Sequence, residues 1–132
     1  MVSMMFGYGS QKCVSGQICG KALAIEHNGD LFSCDHFVYP EYKLGNIQET
    51  HQGDLVFSER QKQFAYAKSN TLPEYCRKCA YLQYCWGNCP KDRFLKTPDG
   101  EVSLHYLCSG LKQFFHTATT SKHDIAKRLQ RH

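Results

Sequence analysis

Nothing in this 132-residue chain approaches the roughly 18 apolar residues that a membrane-spanning helix needs. The opening Met1-Val2-Ser3-Met4-Met5 has neither the charged start nor the extended apolar stretch of a secretory signal. There is no internal repeat, and no histidine stands at the fourth-ligand spacing of a zinc finger. The formal net charge of +4 is too small to mark a nucleic-acid binder by itself. These absences lead us to expect a soluble, cytoplasmic monomer that engages neither membrane nor nucleic acid. The length suits one typical domain, and 42% hydrophobic residues suffice for a moderate core.

Cysteine is what the chain has in excess. Cys13, Cys19 and Cys34 precede residue 35, and the run Cys76-x2-Cys79-x5-Cys85-x3-Cys89-x18-Cys108 follows residue 75. Disulfide frameworks belong mainly to secreted proteins, so eight thiols without a signal point to metal ligation in a reducing compartment. Four thiolates satisfy a tetrahedral zinc or a cubane iron–sulfur cluster, and eight make two such sets. If all eight ligate in fours, the three-plus-five division requires a late cysteine to join the early three. The two sites would then be interlocked, each tying together distant segments.

Local signals place these ligands on elements. Residues 1–12 read as a linker. Asn28-Gly29 between two apolar stretches predicts a hairpin with a two-residue turn, which would return Cys34 to the end where Cys19 lies. A helix is expected from about Asp54 to Lys68, capped by Asp54 or Ser58, with Ser58-x-x-Gln61 resembling a capping box. Leu72-Pro73-Glu74-Tyr75 breaks the chain ahead of a cysteine-rich loop, where Gly87 and Pro90 favour irregular backbone whose N–H groups can point at sulfur. Thr97-Pro98-Asp99-Gly100 predicts a tight turn and a second short hairpin. Leu104, Leu107, Cys108, Leu111, Phe114 and Phe115 then share one helical face, turning Cys108 inward. A Thr/Ser-rich break at 117–121 would separate this from a terminal helix, in which Lys122, Lys127, Arg128 and Arg131 form a solvated basic face. The fold class is α+β: a small metal-organised domain with an N-terminal β-hairpin, a cysteine-rich loop and several helices around two cluster sites.

Spacing alone leaves iron and zinc both open, because each accepts four thiolates. Asp35, directly after Cys34, reads on its own as a turn or cap carboxylate. His36 reads as a polar loop residue.

Gly29-x4-Cys34, the Cys76-x2-Cys79-x5-Cys85-x3-Cys89 run and the later Cys108 resemble the SPASM domain, the twin-cluster extension of radical SAM enzymes that modify peptides. Within that group, Cys13-x5-Cys19, Cys34-Asp35 and Cys85-Trp-Gly-Asn-Cys89-Pro90-Lys91-Asp92-Arg93 are most similar to anaerobic sulfatase-maturating enzymes. The resemblance implies that Cys13, Cys19, Cys34 and Cys89 hold a first [4Fe–4S] cluster, with Cys89 as the crossing ligand. Cys76, Cys79, Cys85 and Cys108 would hold a second. It further implies that both clusters carry electrons and that Asp35 is the base that deprotonates a Cys or Ser of an unfolded sulfatase peptide during oxidation to formylglycine. Tyr39, Tyr42, Trp86 and Arg93 are then candidates for a peptide groove, against the plainer reading that such residues pack.

The resemblance stops short at one place. The Cys-x3-Cys-x2-Cys run that binds a radical-generating cluster is missing, since Asp92 stands where the third cysteine would be. S-adenosylmethionine and a third cluster are therefore expected only in a separate radical SAM domain of the same parent chain, and these residues alone should be catalytically incomplete. The expected organisation is a linker over 1–12, the twin-cluster domain over 13–118 and a C-terminal helix over 119–132. Zinc, or a Cys76–Cys79 disulfide, would be expected as a replacement in material made in air.

Overall fold

In the computed structural model, Met4 and residues 8–129 are described, and they divide into two compact units, residues 17–71 and residues 1–16 with 72–132. The linker expected over 1–12 and the expected basic residue Arg131 fall partly or wholly outside the described residues. Among the described residues no helix is long and apolar enough to cross a membrane.

In the unit of residues 17–71, Ala24–Ile25 (β1) pairs antiparallel with Asp30–Phe32 (β2), Ala24 opposite Phe32 and Ile25 opposite Leu31. The expected hairpin is present, but its turn is longer than two residues. Glu26 N–H donates to the Asp30 carbonyl and Gly29 N–H to the Glu26 carbonyl, both at 2.9 Å, leaving His27, Asn28 and Gly29 as the loop. Gly29, at φ +89°, takes the left-handed position that closes a three-residue loop. The longer turn is fixed from both sides of Asn28. Its Oδ1 accepts from Asp30 N–H at 3.1 Å, and its carbonyl accepts from Asn46 Nδ2 at 3.0 Å.

Asn46 belongs to a third strand, Lys43–Asn46 (β3), which the sequence pattern did not disclose. Lys43-Leu44-Gly45-Asn46 has no clean two-residue alternation, and Leu44 bulges, since Leu31 faces Gly45 while Phe32 faces Lys43. The order β1-β2-β3 makes β2 central, and Leu31, Phe32, Ser33 and Cys34 are all buried.

The single helix expected over 54–68 is two: Gln52–Val56 (α1) and Glu59–Asn70 (α2). His51 Nδ1, not Asp54, caps α1 by accepting from Gly53 N–H at 3.1 Å. Ser58 adopts extended backbone and restarts the helix, its hydroxyl accepting from Gln61 N–H at 3.2 Å. Only this half of the expected capping box forms. Gln61, 4% exposed, sends its side-chain amide away to the carbonyls of Gly20 and Ser33, both at 3.1 Å. Leu55 of α1 lies so close to Gly45 that a Cβ there would come within 2.8 Å of its Cδ2. Phe37, Tyr42 and Phe64 pack as a ring trio with centroids 4.8 to 5.7 Å apart.

The other unit carries the short helices Glu74–Arg77 (α3) and Leu82–Cys85 (α4) and the long helix Cys108–Leu129 (α5). A 3-10 turn at Cys13–Ser15 lies against α4. Leu72, Cys76 and Leu104 form the buried centre, with Tyr75, Leu82, Trp86 and Cys108 packed around it. The second hairpin reduces to one antiparallel bridge, Leu95 with Leu104, closed by the turn in which Gly100 N–H donates to the Thr97 carbonyl at 2.9 Å. That hairpin serves α3. The Glu101 carboxylate accepts from Glu74 N–H at 2.9 Å and Tyr75 N–H at 3.2 Å, capping a helix whose own Pro73 offers no side-chain acceptor.

Two expectations for the C-terminal region are corrected. The Thr/Ser-rich stretch 117–121 does not break the helix, because Thr117 turns its hydroxyl back onto the Gln113 carbonyl at 3.1 Å and Thr119 does the same to Phe115. Lys122 is not solvated: it is 6% exposed, with its ammonium 5.0 Å from the Tyr84 ring centroid and 5.9 Å from that of Phe115. Burial lowers its pKa. Lys127 and Arg128 are exposed as expected.

Candidate metal centre

α3, α4 and the start of α5 each bring cysteine to one place. Cys76 lies in α3, Cys79 in the turn after it, Cys85 at the end of α4 and Cys108 at the first position of α5. The four side chains line a single cavity together with Leu82, Phe115 and Lys112, and all four are thiols. Their proximity is electrostatic as well as spatial. Burial pushes the Cys76 thiol up to about 11, and the neighbouring Cys108, Cys85 and Cys79 push in the same direction. Burial also raises Cys85 and Cys108. A half-buried group of thiols whose charges oppose one another is one that a bound cation would relieve.

Backbone donors are aimed at these sulfurs. Tyr81 N–H donates to Cys79 Sγ at 3.5 Å, and the N–H groups of Gly87 and Asn88 favour the Cys85 thiolate. The second arrangement depends on an unusual loop, since Trp86, Gly87 and Asn88 all have positive φ, at 46°, 66° and 54°. Arg93 holds that loop. Its guanidinium donates to the carbonyls of Trp86 at 2.7 Å, Gly87 at 2.9 Å and Asn88 at 3.2 Å. Three successive carbonyls drawn to one side leave the intervening N–H groups facing the other, toward sulfur.

Arg93 is therefore not available to a peptide groove: it is 7% exposed and committed to the loop. Trp86 and Tyr42 are packing residues, and Tyr39 alone of the four groove candidates is exposed.

The other four expected ligands are Cys13, Cys19, Cys34 and Cys89. Cys19 and Cys34 are buried close together in the unit of residues 17–71, where the hairpin brings them, and Cys13 and Cys89 belong to the other unit. Burial pushes the Cys34 thiol up to about 11, opposed by His36 N–H, which donates to its sulfur at 3.4 Å. Asp35 is exposed, and its carboxylate accepts from Cys34 Sγ at 3.3 Å. That contact places the carboxylate against the sulfur.

The donor set fits the chemistry of an iron–sulfur cluster, which takes four cysteine thiolates. A single zinc bound at about 2.3 Å by four thiolates would draw the sulfurs to within about 3.8 Å of one another. Among the described residues no three His, Cys, Asp or Glu side chains converge on one ion in this way. A cubane gives each thiolate its own iron around a shared cavity, and these four side chains line one cavity. Sequence reasoning missed Lys112 and Glu101 here. The spacing Cys108-x3-Lys112 was a readable signal, because residues four apart share a helical face.

Comparison with known proteins agrees with this chemistry. Residues 13–80, just over half of the chain, match the family model of the SPASM iron–sulfur cluster-binding domain. The chain belongs to that family. It is 50% identical over 103 residues to the serine-type anaerobic sulfatase-maturating enzyme of Bacteroides thetaiotaomicron, covering 78% of this chain and 25% of that one. It is 30% identical over 122 residues to the cysteine-type anaerobic sulfatase-maturating enzyme of Clostridium perfringens, covering 92% and 32%. The solved structure of anSMEcpe with bound AdoMet and Cp18Cys peptide superimposes with a TM-score of 0.79 at 27% identity, over 96% of this chain and 34% of that one. The chain thus spans about a quarter to a third of the length of these relatives.

Proposed function

We propose that this chain is the auxiliary-cluster region of a radical SAM sulfatase-maturating enzyme and holds two [4Fe–4S] clusters, one on Cys13, Cys19, Cys34 and Cys89 and one on Cys76, Cys79, Cys85 and Cys108. The observation that carries this reading is the convergence of the second four thiols on one cavity, within a chain of this family. When bound, clusters of this kind accept and pass on single electrons, and ligation by four cysteines leaves no iron open to substrate. The chain's own contribution is to seat them: the Arg93-held loop and the N–H of Tyr81 offer hydrogen bonds to sulfur, and the apolar wall of Leu82 and Phe115 limits water.

Asp35 is the base in this reading. Its carboxylate is exposed and touches the sulfur of Cys34, so it is accessible to a peptide beside one ligand of the first cluster. There it would take the proton from the thiol or hydroxyl of the Cys or Ser being oxidised to formylglycine. Residues 13–118 would form the twin-cluster domain, with 119–132 as a terminal helical segment and 1–12 leading to the radical SAM domain, which supplies S-adenosylmethionine chemistry that these residues lack the Cys-x3-Cys-x2-Cys run to perform. We assign the protein as a cytoplasmic monomer acting on an unfolded sulfatase peptide.

The test is Asp35→Asn in the enzyme that includes the radical SAM domain. Formylglycine formation should fall about 100-fold or more, the usual worth of a positioned base, with iron content unchanged. Retained turnover would assign the chemistry to another residue or another peptide modification.

A further inference from the structure

Lys112 is the charged side chain on the cavity wall that seating the thiols does not explain. It stands one turn beyond Cys108 on α5 and lines the same cavity as Cys76, Cys79, Cys85 and Cys108. Its ammonium is pinned rather than free to sweep solvent. Nζ donates to the Tyr75 hydroxyl at 2.7 Å and lies 4.1 Å from the centroid of that ring, and Tyr75 is itself packed against the buried centre that contains Cys76. The Tyr75 hydroxyl, and then the nearby Cys79 and Cys108 thiolates, favour the charged form of the lysine.

Of the neighbouring cations, Arg93 also favours the Cys76 thiolate, but Lys112 alone among charged side chains lines the cavity. Arg93 serves the 86–88 carbonyls, and Lys78 is exposed and paired with Glu74 at 3.5 Å. A fixed positive charge beside a four-thiolate cluster stabilises the more negative, reduced form, and net charge is one of the levers that set such potentials.

We propose that Lys112 is a positioning residue that raises the reduction potential of the cluster on Cys76, Cys79, Cys85 and Cys108. The inference depends on the reading that these thiols hold an iron–sulfur cluster. The cluster would supply one-electron chemistry there, taking its electron from oxidation of the substrate, while the lysine keeps its charge and takes up no proton.

The experiment is a redox titration followed by electron paramagnetic resonance on the chain reconstituted anaerobically with iron and sulfide, alongside Lys112→Met, Lys112→Arg and Tyr75→Phe. Lys112→Met should shift one cluster toward its oxidised form at least tenfold, about 59 mV for a one-electron couple, and leave the other unmoved. Lys112→Arg should keep the parent potential. Unchanged potentials in a Lys112→Met protein of full iron content would overturn the inference. Should that variant fail to take up iron, Tyr75→Phe decides: it keeps the charge but removes its anchor, so the same potential should fall by less, and no shift overturns the inference. A parent chain that takes up no iron would instead overturn the reading of the cysteines, and this inference with it.

Discussion

At the scale of single residues, Gly87 shows how closely backbone conformation and the candidate centre are linked. At φ +66° it occupies the left-handed region, and a Cβ there would strike the Leu72 side chain and come within 2.8 Å of Arg93 Nη2. Gly87→Ala therefore combines a left-handed alanine, about 1–2 kcal/mol, with overpacking of about 1–3 kcal/mol. We expect a loss of about 3 kcal/mol in urea unfolding, and weaker retention of the cluster on Cys85 when the reconstituted protein is challenged with a chelator. The sequence marked Gly87 as a loop residue, but it could not assign Arg93. A buried guanidinium spent on three carbonyls and an exposed one lining a groove are written with the same letter, and only the left-handed loop distinguishes them.

Among the elements, α5 deserves the closest reading because it carries both Cys108 and Lys112, and its start is shaped by His105. The His105 carbonyl accepts from Cys108 N–H at 3.0 Å, and its Nδ1 accepts from Leu107 N–H at 3.1 Å, so the ring proton resides on Nε2, 3.8 Å from Asp92 Oδ2. Burial lowers the His105 pKa, the Asp92 carboxylate raises it in part, and the Arg93 guanidinium lowers it further. Because the folded value lies below the unfolded one, the neutral ring stabilises the fold above pH 6.5, and that contribution is lost as pH falls through the folded value. Urea midpoints measured from pH 7.5 down to 5 should fall more steeply for the parent than for His105→Asn, whose side-chain oxygen can still accept from Leu107 but does not titrate. Parallel profiles would remove His105 from this role. The helix itself was legible, with Cys108 turned toward the cavity, but the expected face was drawn too wide: the helix starts only at Cys108, after Leu104 and Leu107, and Leu107 and Phe114 are exposed. Its continuity was not legible, because threonines that bond back to the preceding turn look in sequence like threonines that end a helix. The split between α1 and α2 was hidden for the converse reason: Ser58 reads as a cap, but nothing nearby said that a first helix had already begun at Gln52.

For the whole molecule, the spacing of the cysteines was the most informative text, since short loops force Cys76, Cys79 and Cys85 together whatever the rest of the fold does. Cys108 was reachable through its helical face. Cys13, Cys19, Cys34 and Cys89 lie far apart in the chain, and local sequence says nothing of long-range assembly. The central claim is that two four-thiolate clusters share the eight cysteines, with Cys89 completing the amino-terminal one. The most direct measurement is iron and sulfide content, with Mössbauer spectra, of the anaerobically reconstituted chain and of Cys89→Ala. The account predicts about eight irons per parent chain, as two cubanes require, falling to about four in the variant, with the remaining cluster spectroscopically unchanged. A parent chain that takes up zinc but no iron, or a Cys89→Ala chain that keeps all its iron, would contradict it.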